Sequence, residues 1–245
     1  LTPRNYEAYV LDAMPGRWGG DDFSQGYLAY AQARYDRAAQ VLARVRKGPR
    51  VRAARRYRAL AFWAQERYDS AAVELDSLVA IAARENRTQL TPVYETSAVA
   101  RYGVGVARLG DAAGAREALV QALEEDVTFA AAHVALARTA ARLGDSAEVV
   151  REWRQALELR PMSGAVRGEY ALALDRLGHR DEALVEYERA IALEPYWCGP
   201  YFNMAQLLDR MGRRDEAQAR YAQFLERAPQ AYAAQVAHAR RRVGA

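Results

Sequence analysis

Glycine recurs at a fixed interval in this chain: Gly110, Gly144, Gly178 and Gly212 stand 34 residues apart. The fifth residue after each is small (Ala115, Val149, Ala183, Ala217), and the ninth is large and apolar (Leu119, Trp153, Tyr187, Tyr221). The twelfth is Ala122, Ala156, Ala190 or Phe224, and Pro161, Pro195 and Pro229 close three of the four units. A period of this length marks a stacked array, because one such unit cannot bury its apolar stripe alone. The constraint shifts attention from an active-site pocket to a binding surface.

Each unit carries two apolar stripes at helical spacing. In one they are Tyr170, Leu174 and Leu177, then Ala183, Tyr187, Ala190 and Ile191; steps of three and four put such residues on one helix face. Gly178 lies between the stripes, where it can take a positive φ and stop the first helix. Asp181 and Glu182 open the second helix, at the positive end of its dipole, and Pro195 ends it. The unit therefore reads helix, tight turn, helix, break.

In length, small-and-large pattern and closing proline, these residues resemble the tetratricopeptide repeat. The resemblance covers residues 96–229, with repeats at 96–129, 130–163, 164–197 and 198–231. Val127 stands where the first would have proline, and Val149 where the second would have alanine. Two degenerate units precede them over 21–83: Arg34–Ala38 and Arg67–Ala71 each look like the entry to a second helix, with Ala33 and Glu66 in place of the turn glycine. Arg58 sits near a position that is usually apolar. Because Ala71 and Ala115 are 44 residues apart, about one extra helical turn and a loop intervene, in an irregular joint over 84–95. Residues 1–20 read as a short helix (4–13) and a loop, and 230–245 as a capping helix with Tyr232, Val236 and Ala239 on one face. The expected fold is all-α: a right-handed superhelical solenoid of antiparallel helix pairs, about six repeats plus the C-terminal cap.

Little in the chain reads as chemistry. Cys198 is the single cysteine, so no internal disulfide forms, and His133, His179 and His238 are too scattered to pair with it at metal-ligand spacing. There is no phosphate loop, nucleophile elbow or zinc-protease helix. The carboxylates read as solvent-facing or helix-starting. No cofactor, metal or catalytic residue is expected. Abundant arginine and alanine beside one lysine suggest a GC-rich bacterial source. The compartment stays open, cytoplasmic or extracytoplasmic, and so does the presence of a segment upstream of Leu1.

The resemblance implies that first helices line a concave groove that binds a segment of a partner protein. Mapped residue by residue, the candidates are Arg108, Arg138, Arg142, Leu172, Asp175, Arg176, Phe202, Asn203, Gln206, Asp209 and Arg210. Asn203 matches a position of the family's carboxylate clamp, but the clamp's lysines are missing, which argues against that specificity. Phe23, Tyr27 and Tyr30 follow one helix face and read either as groove anchors or as core. Arg108, Arg142, Arg176 and Arg210 recur every 34 residues, either gripping acidic side chains or favouring helix C-termini. Arg44, Arg46, Lys47, Arg50, Arg52, Arg55, Arg56 and Arg58 form a run without an acid, a candidate contact for nucleic acid, an anionic surface or an acidic protein. The leading expectation is a non-enzymatic protein-binding scaffold. The alternatives are an assembly subunit docking through its ends or convex face, and a nucleic-acid or anionic-surface binder through 44–58.

Overall fold

A computed structural model describes residues 20–86, 95–108 and 110–244. The expected helix at 4–13, most of the irregular joint and Leu109 lie outside the described residues. Within them the chain is all-α: thirteen α-helices, one 3-10 turn and no strand. It divides into two compact units, 1–139 and 140–245.

The first unit holds α1 (Asp22–Ala31), α2 (Tyr35–Leu42), α3 (Val51–Ala64), α4 (Tyr68–Asn86), α5 (Glu95–Ala107), α6 (Ala112–Glu125) and most of α7 (Ala130–Leu143). Pairs α1–α2, α3–α4 and α5–α6 pack as hairpins, and α2 also packs on α3. Around the first pair, Ala29, Ala38, Leu42, Ala54 and Ala61 form a buried cluster with Phe23, Tyr30, Tyr35, Val45 and Tyr57 at its edge. Helix α4 runs 19 residues against 14 for α6, so residues 84–86, expected in the irregular joint, belong to its last turn.

The second unit holds α8 (Ser146–Leu159), α9 (Gly164–Arg176), α10 (Arg180–Leu193), α11 (Cys198–Arg210), α12 (Arg214–Arg227), the 3-10 turn Gln230–Tyr232 and α13 (Ala233–Val243). Helices α9–α10 and α11–α12 are hairpins, with α11 seated on α10 and α13 on α12. Second helices begin at 112, 146, 180 and 214, so the register is kept to the residue.

One turn recurs. His179 N–H donates to the Leu174 carbonyl (2.9 Å), Arg213 to Leu208 (3.0 Å) and Asp145 to Ala140 (3.0 Å), while Gly178, Gly212 and Gly144 take φ of +85°, +78° and +78°. This five-residue back-bond around a left-handed residue is a Schellman cap. The degenerate front repeats make the same turn without glycine. Arg34 N–H donates to Ala29 (2.8 Å) and Arg67 to Phe62 (2.9 Å), with Ala33 and Glu66 both at φ +59°.

A second recurrence involves three different side chains. His133 Nε2 meets the Val127 carbonyl at 2.9 Å, Arg167 Nη2 donates to Pro161 at 3.1 Å, and the Tyr201 hydroxyl donates to Pro195 at 3.0 Å. All three occupy one repeat position and satisfy the carbonyl of the turn residue just beyond the C-cap of the preceding second helix. A turn carbonyl outside the helix has no intrahelical donor, so a side chain of the next first helix supplies one.

Not every carboxylate faces water, contrary to the reading of the sequence. Glu74, Glu148, Glu152 and Glu186 are buried. Glu74 is held by Arg55 and Arg58, each at 3.0 Å, which explains how arginine is tolerated at position 58. Glu186 is held by Arg167 at 2.6 Å and Arg189 at 2.7 Å. Arg55–Glu74 and Arg167–Glu186 share the same 19-residue separation, so one buried pair ties first to second helix in both repeats. An ion this poorly solvated persists only when a counter-charge and hydrogen bonds replace its water.

Candidate functional site

Helices α9 and α11 are neighbouring first helices. Arg210 Nη2 bridges them, reaching the two carboxylate oxygens of Asp175 at 2.7 and 2.5 Å. One repeat on, Arg242 of α13 makes the equivalent bond to Asp209 at 2.7 Å, so the cap stands where a further first helix would. The α9–α11 and α11–α13 steps are each fixed by one such ion pair. Arg242 is also the main reason the Asp209 carboxyl titrates below the ordinary 3.8, helped by the Tyr221 hydroxyl.

Beneath these pairs lie two tyrosines of the second helices. The Tyr221 hydroxyl donates to Asp209 (3.0 Å) and sits 3.2 Å from His238 Nε2. Tyr187, at the same place one repeat earlier, is fully buried and its hydroxyl has no hydrogen-bond partner among the described residues. Burial, and then the Asp175 charge, push its ionisation upward.

The cap changes the standing of two expected contact residues. The Phe202 ring packs against Phe224 (5.0 Å), His238 (5.8 Å) and Tyr221 (5.9 Å), and Asp209 is taken by Tyr221 and Arg242. Both therefore serve the docking of α13. Nothing in the 34-residue pattern reports this, because the cap follows the last repeat with a shifted spacing.

What stays open on this face is a smaller set. Leu172 of α9 is half-buried, three residues before Asp175. Asn203 and Gln206 of α11 share a stripe with Arg210 at steps of three and four and are half-exposed. Neither amide is hydrogen-bonded within the described residues. Arg176 and Arg142 are exposed and likewise unpaired there. By contrast Arg108, in the first unit, reaches Asp76 at 2.6 Å. The arginine row therefore divides: Arg108 and Arg210 brace the array, while Arg142 and Arg176 are left to solvent. Arg138 is exposed on α7.

In the first unit, Phe23, Tyr27 and Tyr30 converge on Tyr57. Tyr27 meets it edge-on at 4.8 Å, Tyr30 at 5.3 Å and Phe23 at 6.3 Å. All four are half-buried. The basic run is partly neutralised by acids distant in sequence: Arg50 by Asp21 (2.6 Å), Arg44 by Asp22 (3.7 Å), and Arg55 and Arg58 by Glu74. Arg52 is half-buried; Arg46, Lys47 and Arg56 are exposed.

No three His, Cys, Asp or Glu side chains are placed to hold a metal among the described residues, and Cys198 is buried. No helix among them is long and apolar enough to cross a membrane.

The helix pairs, the left-handed turns and the 34-residue register together define a helical repeat protein. Tetratricopeptide-repeat models match residues 23–86 and 202–240 in one version and 166–196 in another, together more than half of the chain. The chain belongs to the tetratricopeptide-repeat family. No curated protein matches it across its sequence. Among solved structures, TTC0263, a thermophilic TPR protein of Thermus thermophilus, is 21% identical over 79% of this chain and 100% of its own, with a TM-score of 0.57. YrrB, described as a TPR protein with an unusual peptide-binding site, is 16% identical over 77% of this chain and 91% of its own (TM-score 0.58). A MamA structure is 18% identical over 73% and 92% respectively (TM-score 0.60). At these identities the likeness is one of fold.

Proposed function

We propose that this protein is a non-enzymatic scaffold that binds a segment of another protein on the first-helix face of its second unit. One observation carries the reading. Around half-buried Leu172, the side chains of Asn203, Gln206 and Arg176 have no partner within the described residues, on a face whose backbone is braced by the Asp175–Arg210 bridge. An apolar centre with unspent amides and a guanidinium at its rim suits an extended peptide. Amides pair with its backbone, and arginine with a carboxylate or carbonyl. A face held by ion pairs loses little freedom on binding, so the ordering cost falls on the partner. The unusual peptide-binding site of YrrB supports the reading by analogy.

The test is partner retention by wild type and by Leu172→Asp/Arg176→Glu, with folding checked by circular dichroism. Loss in the variant supports the face; full retention refutes it.

A second reading, an assembly subunit, draws on Met162 and Tyr196. They occupy the same position in successive inter-repeat turns and are 76% and 91% exposed. Met162→Ser/Tyr196→Ser abolishes partner retention under that reading and spares it under the first.

A further inference from the structure

At the start of the first unit, the start of α1 and the loop 44–50 between α2 and α3 border an open pocket of about 560 Å³. Its apolar wall is Phe23, Val45 and Pro49. Phe23 and Val45 also pack on the buried cluster beneath, so the wall is anchored. The loop is ordered by its own bonds: Val45 N–H donates to Leu42 (3.1 Å) and Val51 N–H to Gly48 (3.3 Å), with Gly48 turning at φ +88°.

The rim is charged, and its charges are not equivalent. Arg50 is held by Asp21, which also caps α1 through Ser24 N–H at 2.9 Å. The capping bond comes first, ahead of Arg50, in keeping the Asp21 carboxyl below its ordinary value. Arg44 faces Asp22. Two rim cations are thus matched by two carboxylates. Arg46 and Lys47 are exposed and paired with nothing in the described residues, and Arg56 is exposed further along α3. A pocket with an apolar wall and uncompensated positive charge is left.

From this geometry we infer that the loop 44–50 is a second docking site, which takes an acidic protein segment carrying an apolar or aromatic side chain. The apolar side chain enters the pocket against Phe23 and Pro49, and flanking carboxylates meet Arg46 and Lys47. A nucleic-acid strand fits less well. A strand needs a continuous stripe of free cations, whereas Arg44 and Arg50 are matched by Asp22 and Asp21, and the nearby rings of Tyr27 and Tyr57 are packed on each other rather than presented for base stacking.

Random dodecapeptide display against the full chain tests this, run with wild type, with Arg46→Glu/Lys47→Glu, and with Arg240→Glu/Arg241→Glu as a control of equal charge change on the cap. Neither loop side chain makes a bond within the described residues, so the loop variant keeps its fold, which its thermal transition verifies. Wild type and control are expected to select peptides with Asp or Glu flanking an apolar residue. The loop variant loses that selection, and a selected peptide binds it about tenfold more weakly or worse. Selection without acidic enrichment, or enrichment unchanged in the loop variant, overturns the inference. So does a mixed-sequence single-stranded oligonucleotide that outcompetes the peptides and is lost with Arg46 and Lys47, which assigns the loop to nucleic acid.

Discussion

Ala33→Gly and Glu66→Gly should each stabilise the protein, although glycine usually weakens one. Both positions hold φ +59°, a region that costs an L-residue with a Cβ roughly 1–2 kcal/mol. Glycine removes that cost but loses about 0.5–1 kcal/mol more chain entropy on folding, leaving a gain of about 0.5–1 kcal/mol per site. Both residues are exposed, so no packing is surrendered, and the two turns share no hydrogen-bond partner, so the gains should add. For a chain of this size the double variant should melt about 2–8 °C higher. Urea unfolding followed by circular dichroism should show a raised midpoint with an unchanged slope. The reciprocal change, Gly178→Ala at φ +85°, should cost about 0.5–1 kcal/mol on the same balance. A lowered midpoint in the glycine variants would refute the claim that the front repeats are built on the same turn as the later ones.

Other outcomes follow from the packing. A Cβ at Gly168 would lie 2.7 Å from the Trp197 ring, so Gly168→Ala should cost about 1–3 kcal/mol in a denaturant titration, with Trp197 fluorescence perturbed. Arg167→Met leaves Glu186 buried with only Arg189 and should cost about 3–5 kcal/mol, whereas Arg167→Met/Glu186→Leu should recover most of it; a double-mutant cycle measures both. Asp209 titrates below the ordinary 3.8, chiefly through Arg242. Its contribution to cap docking is therefore complete above that value and lost as pH falls through its lowered folded value. Thermal melts from pH 5 to pH 2 should show this loss, and Asp209→Asn, already without the charge, should remove that component.

Much of the architecture is legible in the chain because it rests on periodicity. Glycine, small and large residues at constant offsets place every second helix, and even Ala33 and Glu66 betray their turns by standing where glycine belongs. The polar interior is less visible. A helix pattern reads glutamate as outward, and Glu186 becomes an interior residue because Arg167, on another helix, joins Arg189 in supplying its counter-charge. His133, Arg167 and Tyr201 perform one task with unrelated side chains, so no residue-type pattern discloses it. At the candidate surface, helical spacing marks the face, but which residues are spent on the cap depends on where α13 docks. That is why Phe202 and Asp209 look as available in the sequence as Gln206. The basic run looks unbalanced there because Asp21, Asp22 and Glu74 lie outside it in sequence and against it in space.

The central claim is that the first-helix face of the second unit is the contact surface for a protein partner. Site-specific photo-crosslinking tests it most directly, with p-benzoylphenylalanine at Leu172 and, as the comparison, at Val185, an outer position of α10 that is 48% exposed. In the presence of cognate cell extract the account predicts a discrete adduct from position 172 and none from 185, with the position-172 adduct lost on adding Arg176→Glu. An adduct from 185 and none from 172 would contradict it and place the interface on the second-helix side.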